Sequence, residues 1–286
     1  MLVFLALWNL LVTFDLLPDQ GMIEHLLWTL LFLKEYPKQK VLCSLCGGID
    51  HDTVRKWIWQ FISAICALEA TVVSYIVLIL HLLSQLTLLV MQQIVWENRF
   101  KLDKGNDCLV TVDGTDFRIA EHGRSFYSHK FKKSGLRYEV ALCILTGDIV
   151  WINGPYECGK WPDIEIFRNS LVSQLAPNER VEADDGYIGE HPQHVKCPKG
   201  IANPLETEYM QQRARNRQET VNNCFKFWGA LKQVWRNPIV LHGDAFRAIA
   251  IVTQVAINSG ERLFEVGYRD PPWEKDGDDD DSIEDI

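Results

Sequence analysis

The chain has 286 residues, 47% of them hydrophobic, which is enough for a large buried core and too apolar for a disordered chain. Its formal charge of −9 speaks at first against a nucleic-acid partner. The stretch from Asp270 to Ile286, however, holds nine acidic residues and one lysine, so almost all of that excess sits in a terminal tail that reads as disordered. In the nearly neutral remainder, basic residues cluster. Lys130, Lys132 and Lys133 form one group with Arg137, and Arg213, Arg215, Arg217, Lys226, Lys232 and Arg236 form another. Local patches of this kind attract phosphate backbones whatever the net charge.

The first 33 residues contain no lysine or arginine, so a secretory signal is not expected. Residues 1–17 read as a packed helix closed by Pro18, or as an unnatural start from a mis-assigned gene model. A second helix is expected over 22–36 and a short third over 40–46, followed by the turn Gly47-Gly48. Asp50 is placed to cap a fourth helix over 51–68. Helix, glycine turn and capped helix is the layout of a helix-turn-helix, which would carry Arg55 and Lys56 toward DNA and bury Trp57, Ile58, Phe61, Ile62 and Ile65.

The eight cysteines suggest no disulfide framework. Cys43 and Cys46 have zinc-like spacing, with His25 and His51 within reach, but a second well-spaced pair is missing. Residues 70–96 carry no charge and are long enough to span a bilayer. Yet Ser74, His81, Gln85 and Gln92 mark one helical face as polar, which favours a packed amphipathic helix or an insertion over a membrane anchor.

From Cys108 the pattern turns to strands, expected over 108–112, 138–146, 148–153, 181–184 and 195–197, with Thr146-Gly147-Asp148 as a hairpin turn. Helices are expected over 163–175, 205–231 and 244–259. This is an α/β layered domain with a mixed sheet flanked by helices, preceded by an all-helical region. The expected division is 1–69 helical, 70–96 hydrophobic helix, 97–265 catalytic and 266–286 acidic tail.

Three carboxylates stand out. Asp113 ends the apolar run from Cys108, Asp184 ends a run from Arg180, and Glu219 lies inside the long helix. Two carboxylates at neighbouring strand ends and one from a helix can meet at one point, where they repel unless cations lie between them. Magnesium, or manganese, suits such a site because it keeps positions open for water and phosphate. Arg215 lies one helical turn before Glu219, and Lys226 two turns after it. Asp116 alternates to the other face of its strand unless a bulge intervenes, and Asp163 is placed to cap a helix.

Val112-Asp113-Gly114-Thr115, Ala183-Asp184-Asp185-Gly186-Tyr187, and Arg215 with Glu219 and Lys226 resemble the motifs of the DDE transposase superfamily. The likeness is greatest to its Harbinger-like and insertion-sequence-like branch. The resemblance covers 25–69 and 96–265. It implies a ribonuclease H-like catalytic domain and a metal-dependent endonuclease or transposase that cuts DNA, and can join strands, by a two-metal mechanism. Asp113, Asp184 and Glu219 would be both catalytic residues and metal ligands, supported by Arg215 and Lys226. Arg55, Lys56, Lys130, Lys132, Lys133, Arg213 and Arg217 would hold DNA. The same likeness implies nuclear residence and self-association.

This sequence departs from the family pattern at Gln212, where a tyrosine is expected, at Asp185, where a basic or small residue is usual, and in the uncharged stretch 70–95. A degenerate or domesticated relative that binds DNA or protein without cutting, and a membrane-anchored protein, stand as the alternatives.

Overall fold

A computed structural model describes residues 2–82, 94–100, 108–202 and 204–261, with the side chains of 70–82 and 206–216 left out. The acidic tail and most of the second half of the uncharged stretch therefore lie outside the described residues. Four helices lead: α1 (Leu2–Thr13), α2 (Ile23–Glu35), α3 (Gln39–Leu45) and α4 (His51–Leu82). Asp50 caps α4 as its sequence position predicts, its Oδ1 accepting the N–H groups of Asp52 and Thr53 at 3.1 and 3.0 Å. All five apolar residues expected on the inner face of α4, from Trp57 to Ile65, are buried. Arg55 and Lys56 are exposed on its first turns.

Six strands follow: β1 (Cys108–Arg118), β2 (Tyr127–Ser128), β3 (Lys133–Cys143), β4 (Ile149–Glu157), β5 (Arg180–Glu182) and β6 (Val195–Lys196). They form one mixed sheet in the order β4-β3-β1-β5-β6, with β2 against the start of β3. β3 runs antiparallel to both its neighbours, β1 and β4, whereas β5 and β6 run parallel to β1. Helices complete the fold: α5 (Asp163–Asn169) after β4, then α6 (Pro204–Lys226), α7 (Gly229–Lys232) and α8 (His242–Asn258). The chain is thus α/β, a six-stranded mixed sheet between helices with a helical region before it.

β1 is longer than its apolar run. β1 continues through Gly114, Thr115 and Asp116 because β3 pairs with it without interruption from Val110↔Cys143 to Arg118↔Gly135. Tertiary pairing here overrides the weak strand preference of Gly and Asp. Asp113 therefore sits in mid-strand, not at a strand end. The long helix expected over 205–231 instead breaks after Lys226, and Trp228 precedes the separate turn of α7.

Alternation along β1 sends its residues into two different cores. Val110 and Val112 pack with Ala141, Val150, Phe167 and Val181 on the α5 side. Phe117 and Ile119 join the other core, which runs without a break from the sheet through α8 to α1, α2 and α4. The leading helices are thereby fixed to the sheet by shared burial. α8, with its preceding turn, is the one span among the described residues long and apolar enough to cross a membrane. Most of it is buried inside the protein, as a core helix would be.

Candidate carboxylate site

The parallel register Thr111↔Glu182 places Asp113 and Asp184 at matched positions, each two residues farther along its strand direction. Alternation turns Asp113 to the same face as Thr111. On that face α6 is anchored by Gln218, whose Nε2 donates to the Thr111 carbonyl and to its Oγ1, both at 2.9 Å. One turn later the Asn222 Nδ2 donates to Asp113 Oδ2 at 3.1 Å. Helical spacing then aligns Glu219, Asn222, Asn223 and Lys226 on one stripe.

The result is a cleft of about 650 Å³ whose lining includes Asp113, Asp184, Glu219, Lys130 and Lys226. The three carboxylates singled out in the sequence, from segments as far apart as Asp113 and Glu219, therefore open onto one space. As their side chains stand, no three His, Cys, Asp or Glu among the described residues share the coordination sphere of a single ion.

Electrostatics set Asp113 apart. Burial, together with the charges of Asp163 and Asp184 and against that of Lys130, pushes its carboxyl up to about 7. Asp163 contributes because it begins α5 directly over Gly114, where a Cβ would meet its Oδ1 at 1.8 Å. Glycine at 114 is what admits that carboxylate. Asp163 was expected to cap its helix. Instead Pro162 holds the cap position without a side-chain bond, and Asp163 Oδ1 lies 3.2 Å from the Arg137 Nε. Burial also raises the Asp163 carboxyl, with Asp116 and Asp184 adding to it against Arg137 and Lys130.

Asp116 faces the other way, as uninterrupted alternation requires. Arg137 donates to both its oxygens at 2.7 and 3.0 Å, and Ser128 Oγ donates at 2.6 Å. Burial alone would raise this carboxyl, but those hydrogen bonds and the Arg137 charge outweigh it and hold it below the ordinary range. Glu139, paired with Gly114 across β3, is buried near the same group and is pushed up to about 7 by burial, against hydrogen bonds from Trp151 and Ser170.

Lys130 and Lys226 supply the positive charge of the cleft. Burial and the Lys130 charge lower the Lys226 pKa, opposed by Asp113 and Asp116. Lys132 and Lys133 are exposed beside Lys130 in the tip between β2 and β3. Arg217, expected to hold DNA, is instead buried at 7% exposure. The side chains of Arg213 and Arg215 lie outside the described residues. Asp185, the unusual neighbour of Asp184, accepts the Lys199 N–H at 3.0 Å, and the Lys199 Nζ lies 3.5 Å away, so part of its charge is balanced. Tyr187 is buried against Phe167 and offers no surface for stacking.

The zinc-like constellation does not assemble. His25 is stacked on Trp57 with ring centres 3.9 Å apart, and its Nδ1 accepts the Met22 N–H at 3.1 Å. Sequence reasoning missed Gln218 and Asn222, since amides on a charged helix read as a solvated face. Comparisons with protein-family models, with curated proteins and with solved structures find no match.

Proposed function

We propose that the chain is a metal-dependent DNA endonuclease of the DDE transposase type. The observation that carries this reading is the single cleft shared by Asp113, Asp184 and Glu219, walled by two lysines. The strand order supports it as well: a central first strand, an antiparallel hairpin on one side and parallel strands on the other are what a ribonuclease H-like domain requires.

The donor set fits a hard divalent cation. It consists of carboxylate oxygens around an open cleft, and a carboxyl raised to about 7 by burial and then by its acidic neighbours is one whose ionised form a nearby cation would stabilise. Asp113, Asp184 and Glu219 would hold magnesium or manganese, which when bound polarises a phosphodiester and makes water a nucleophile at neutral pH. Asp184 and Glu219 are exposed on the same cleft as Asp113, and Asp184 Oδ1 is oriented by the Gly186 N–H at 2.8 Å.

The protein's own groups do the rest. Asn222 holds the Asp113 carboxylate in one orientation. Lys130 and Lys226 line the same cleft and would offset the charge that grows on the phosphoryl oxygens. Water forms the new bond to phosphorus, and the 3′ oxygen departs. In strand joining a 3′-hydroxyl takes the place of that water. A plasmid-nicking assay with Mg²⁺ tests the reading: the parent protein nicks, and Asp113→Asn, Asp184→Asn and Glu219→Gln each lose about a hundredfold or more of the rate. Parent-level nicking by all three variants overturns it.

A DNA-binding relative that no longer cuts is the second reading, and what favours it is that, among the described residues, no three carboxylates already share one ion's sphere. Such a protein binds DNA equally with and without Mg²⁺ and nicks nothing.

A further inference from the structure

We infer that a second cleft, formed by the leading helices and the segment before α8, is the docking site for this chain's own acidic segment, which enters through Pro271-Pro272-Trp273. The inference goes beyond the carboxylate site and stands without it. The cleft measures about 500 Å³, and its lining joins the apolar surfaces of Tyr36, Ile58 and Trp59 to the cations Lys38, Arg55 and Arg236. Among the described residues no Asp or Glu lines it.

Lys38, Arg55 and Arg236 are exposed and, among the described residues, pair with no carboxylate. Arg236 is already held in place. Its guanidinium carbon lies 4.3 Å from the Tyr36 ring centre, and its Nη2 donates to the Tyr36 carbonyl. An apolar floor ringed by cations suits an occupant that brings both apolar surface and negative charge.

Residues 270–286 bring both. Nine of them are acidic and one is a lysine, and Pro271, Pro272 and Trp273 stand near the start of the run. A proline has its φ fixed already, so a pair of them has little freedom to lose against aromatic walls. Tryptophan is among the side chains that carry most of the energy in such contacts. The carboxylate cleft could not take the same segment. Asp113, Asp184, Asp185 and Glu219 line it, and like charges brought together repel.

The chain is also long enough. α8 starts four residues past Pro238, which itself lines the second cleft, and is 17 residues long. At about 1.5 Å per residue its far end lies about 25 Å from its start. Residues 262–270, at about 3.3 Å each, can span about 30 Å. That returns Pro271 to Trp273 to the cleft, with the acidic run following onto the cations.

The test is zero-length carbodiimide coupling, which joins a lysine amine to a carboxylate in contact with it. It is run on the full chain at low concentration, as an equal mixture of isotope-labelled and unlabelled protein, and read by mass spectrometry. Lys38 should be joined to a carboxylate between Glu274 and Asp281 of the same chain. Trp273→Ser should lower that yield about tenfold at an unchanged circular-dichroism melt. The inference falls if Lys38 stays uncoupled, if the segment couples to Lys132 and Lys133 instead, or if Trp273→Ser couples as the parent does. Products that mix labelled with unlabelled chains would give the cleft to a second copy and overturn it equally.

Discussion

Asp113 and Asp116 stand three residues apart on one strand and meet opposite fates. Asp116 faces Arg137 and Ser128, which satisfy both its oxygens and hold it ionised. Asp113 faces α6, receives one side-chain amide donor, feels two further carboxylates, and is raised to about 7. A charge with a built-in counter-ion is a structural element, whereas one left short of positive charge is open to a ligand that brings it. The difference arises from strand alternation, which an unbroken nine-rung pairing with β3 enforces.

The contrast can be broken most severely from the Asp116 side. Arg137→Ala removes the ion pair to Asp116 and leaves a buried carboxylate with the Ser128 hydroxyl and the weaker influence of Lys130. A loss of about 3–5 kcal/mol in urea unfolding is expected, whether or not Mg²⁺ is present. A loss under 1 kcal/mol would mean that the pair is not what holds that face.

Gly114→Ala tests the junction between the two faces. The added methyl would drive into Asp163, and the strand is held in place there by its unbroken pairing with β3. About 2 kcal/mol of destabilisation is expected in thermal unfolding. Asp163→Ala in the same background should recover most of it.

On the other face, removing the charge should help. The Asp113 carboxyl titrates near its ordinary 3.8 when unfolded and at about 7 when folded. The folded chain thus keeps a proton that the unfolded chain has released, and stability falls as pH rises from about 4 through 7. In chelator, Asp113→Asn should match the parent near pH 4. Above pH 7 it should be more stable by about 2 kcal/mol, roughly half of what the shift alone would give because the carboxyl edge still meets solvent. A variant less stable than the parent at pH 8 would show that Asp113 is a structural carboxylate like Asp116. The smallest effect belongs to Lys226→Gln, expected to slow nicking about tenfold at unchanged stability.

The sequence made the carboxylate cleft legible where chemistry follows local pattern. Asp113 and Asp184 close apolar runs on strands that pair in parallel, and Glu219 and Lys226 share a helical stripe at a spacing of seven. What stayed hidden was whatever depends on neighbours. Asp113 looked like a strand end because the continuation of β1 is imposed by β3, not by its own Gly114, Thr115 and Asp116. Asp163 looked like a cap because its approach to Arg137 requires the vacant side of Gly114. Arg217 looked like a DNA contact because an arginine on a charged helix reads as exposed. The basic cleft joins Lys38 and Arg236, almost 200 residues apart, and no periodicity links them.

The central proposal is that the Asp113 face binds a divalent cation. Titration of the parent and of Asp113→Asn/Asp184→Asn with Mn²⁺, followed by electron paramagnetic resonance, tests this without DNA or turnover. The parent should bind Mn²⁺ and bind it more weakly as pH falls through about 7, as protons compete for Asp113, and the double variant should lose that binding. Equal, pH-independent Mn²⁺ binding by both proteins, or none by the parent at pH 8, would contradict it.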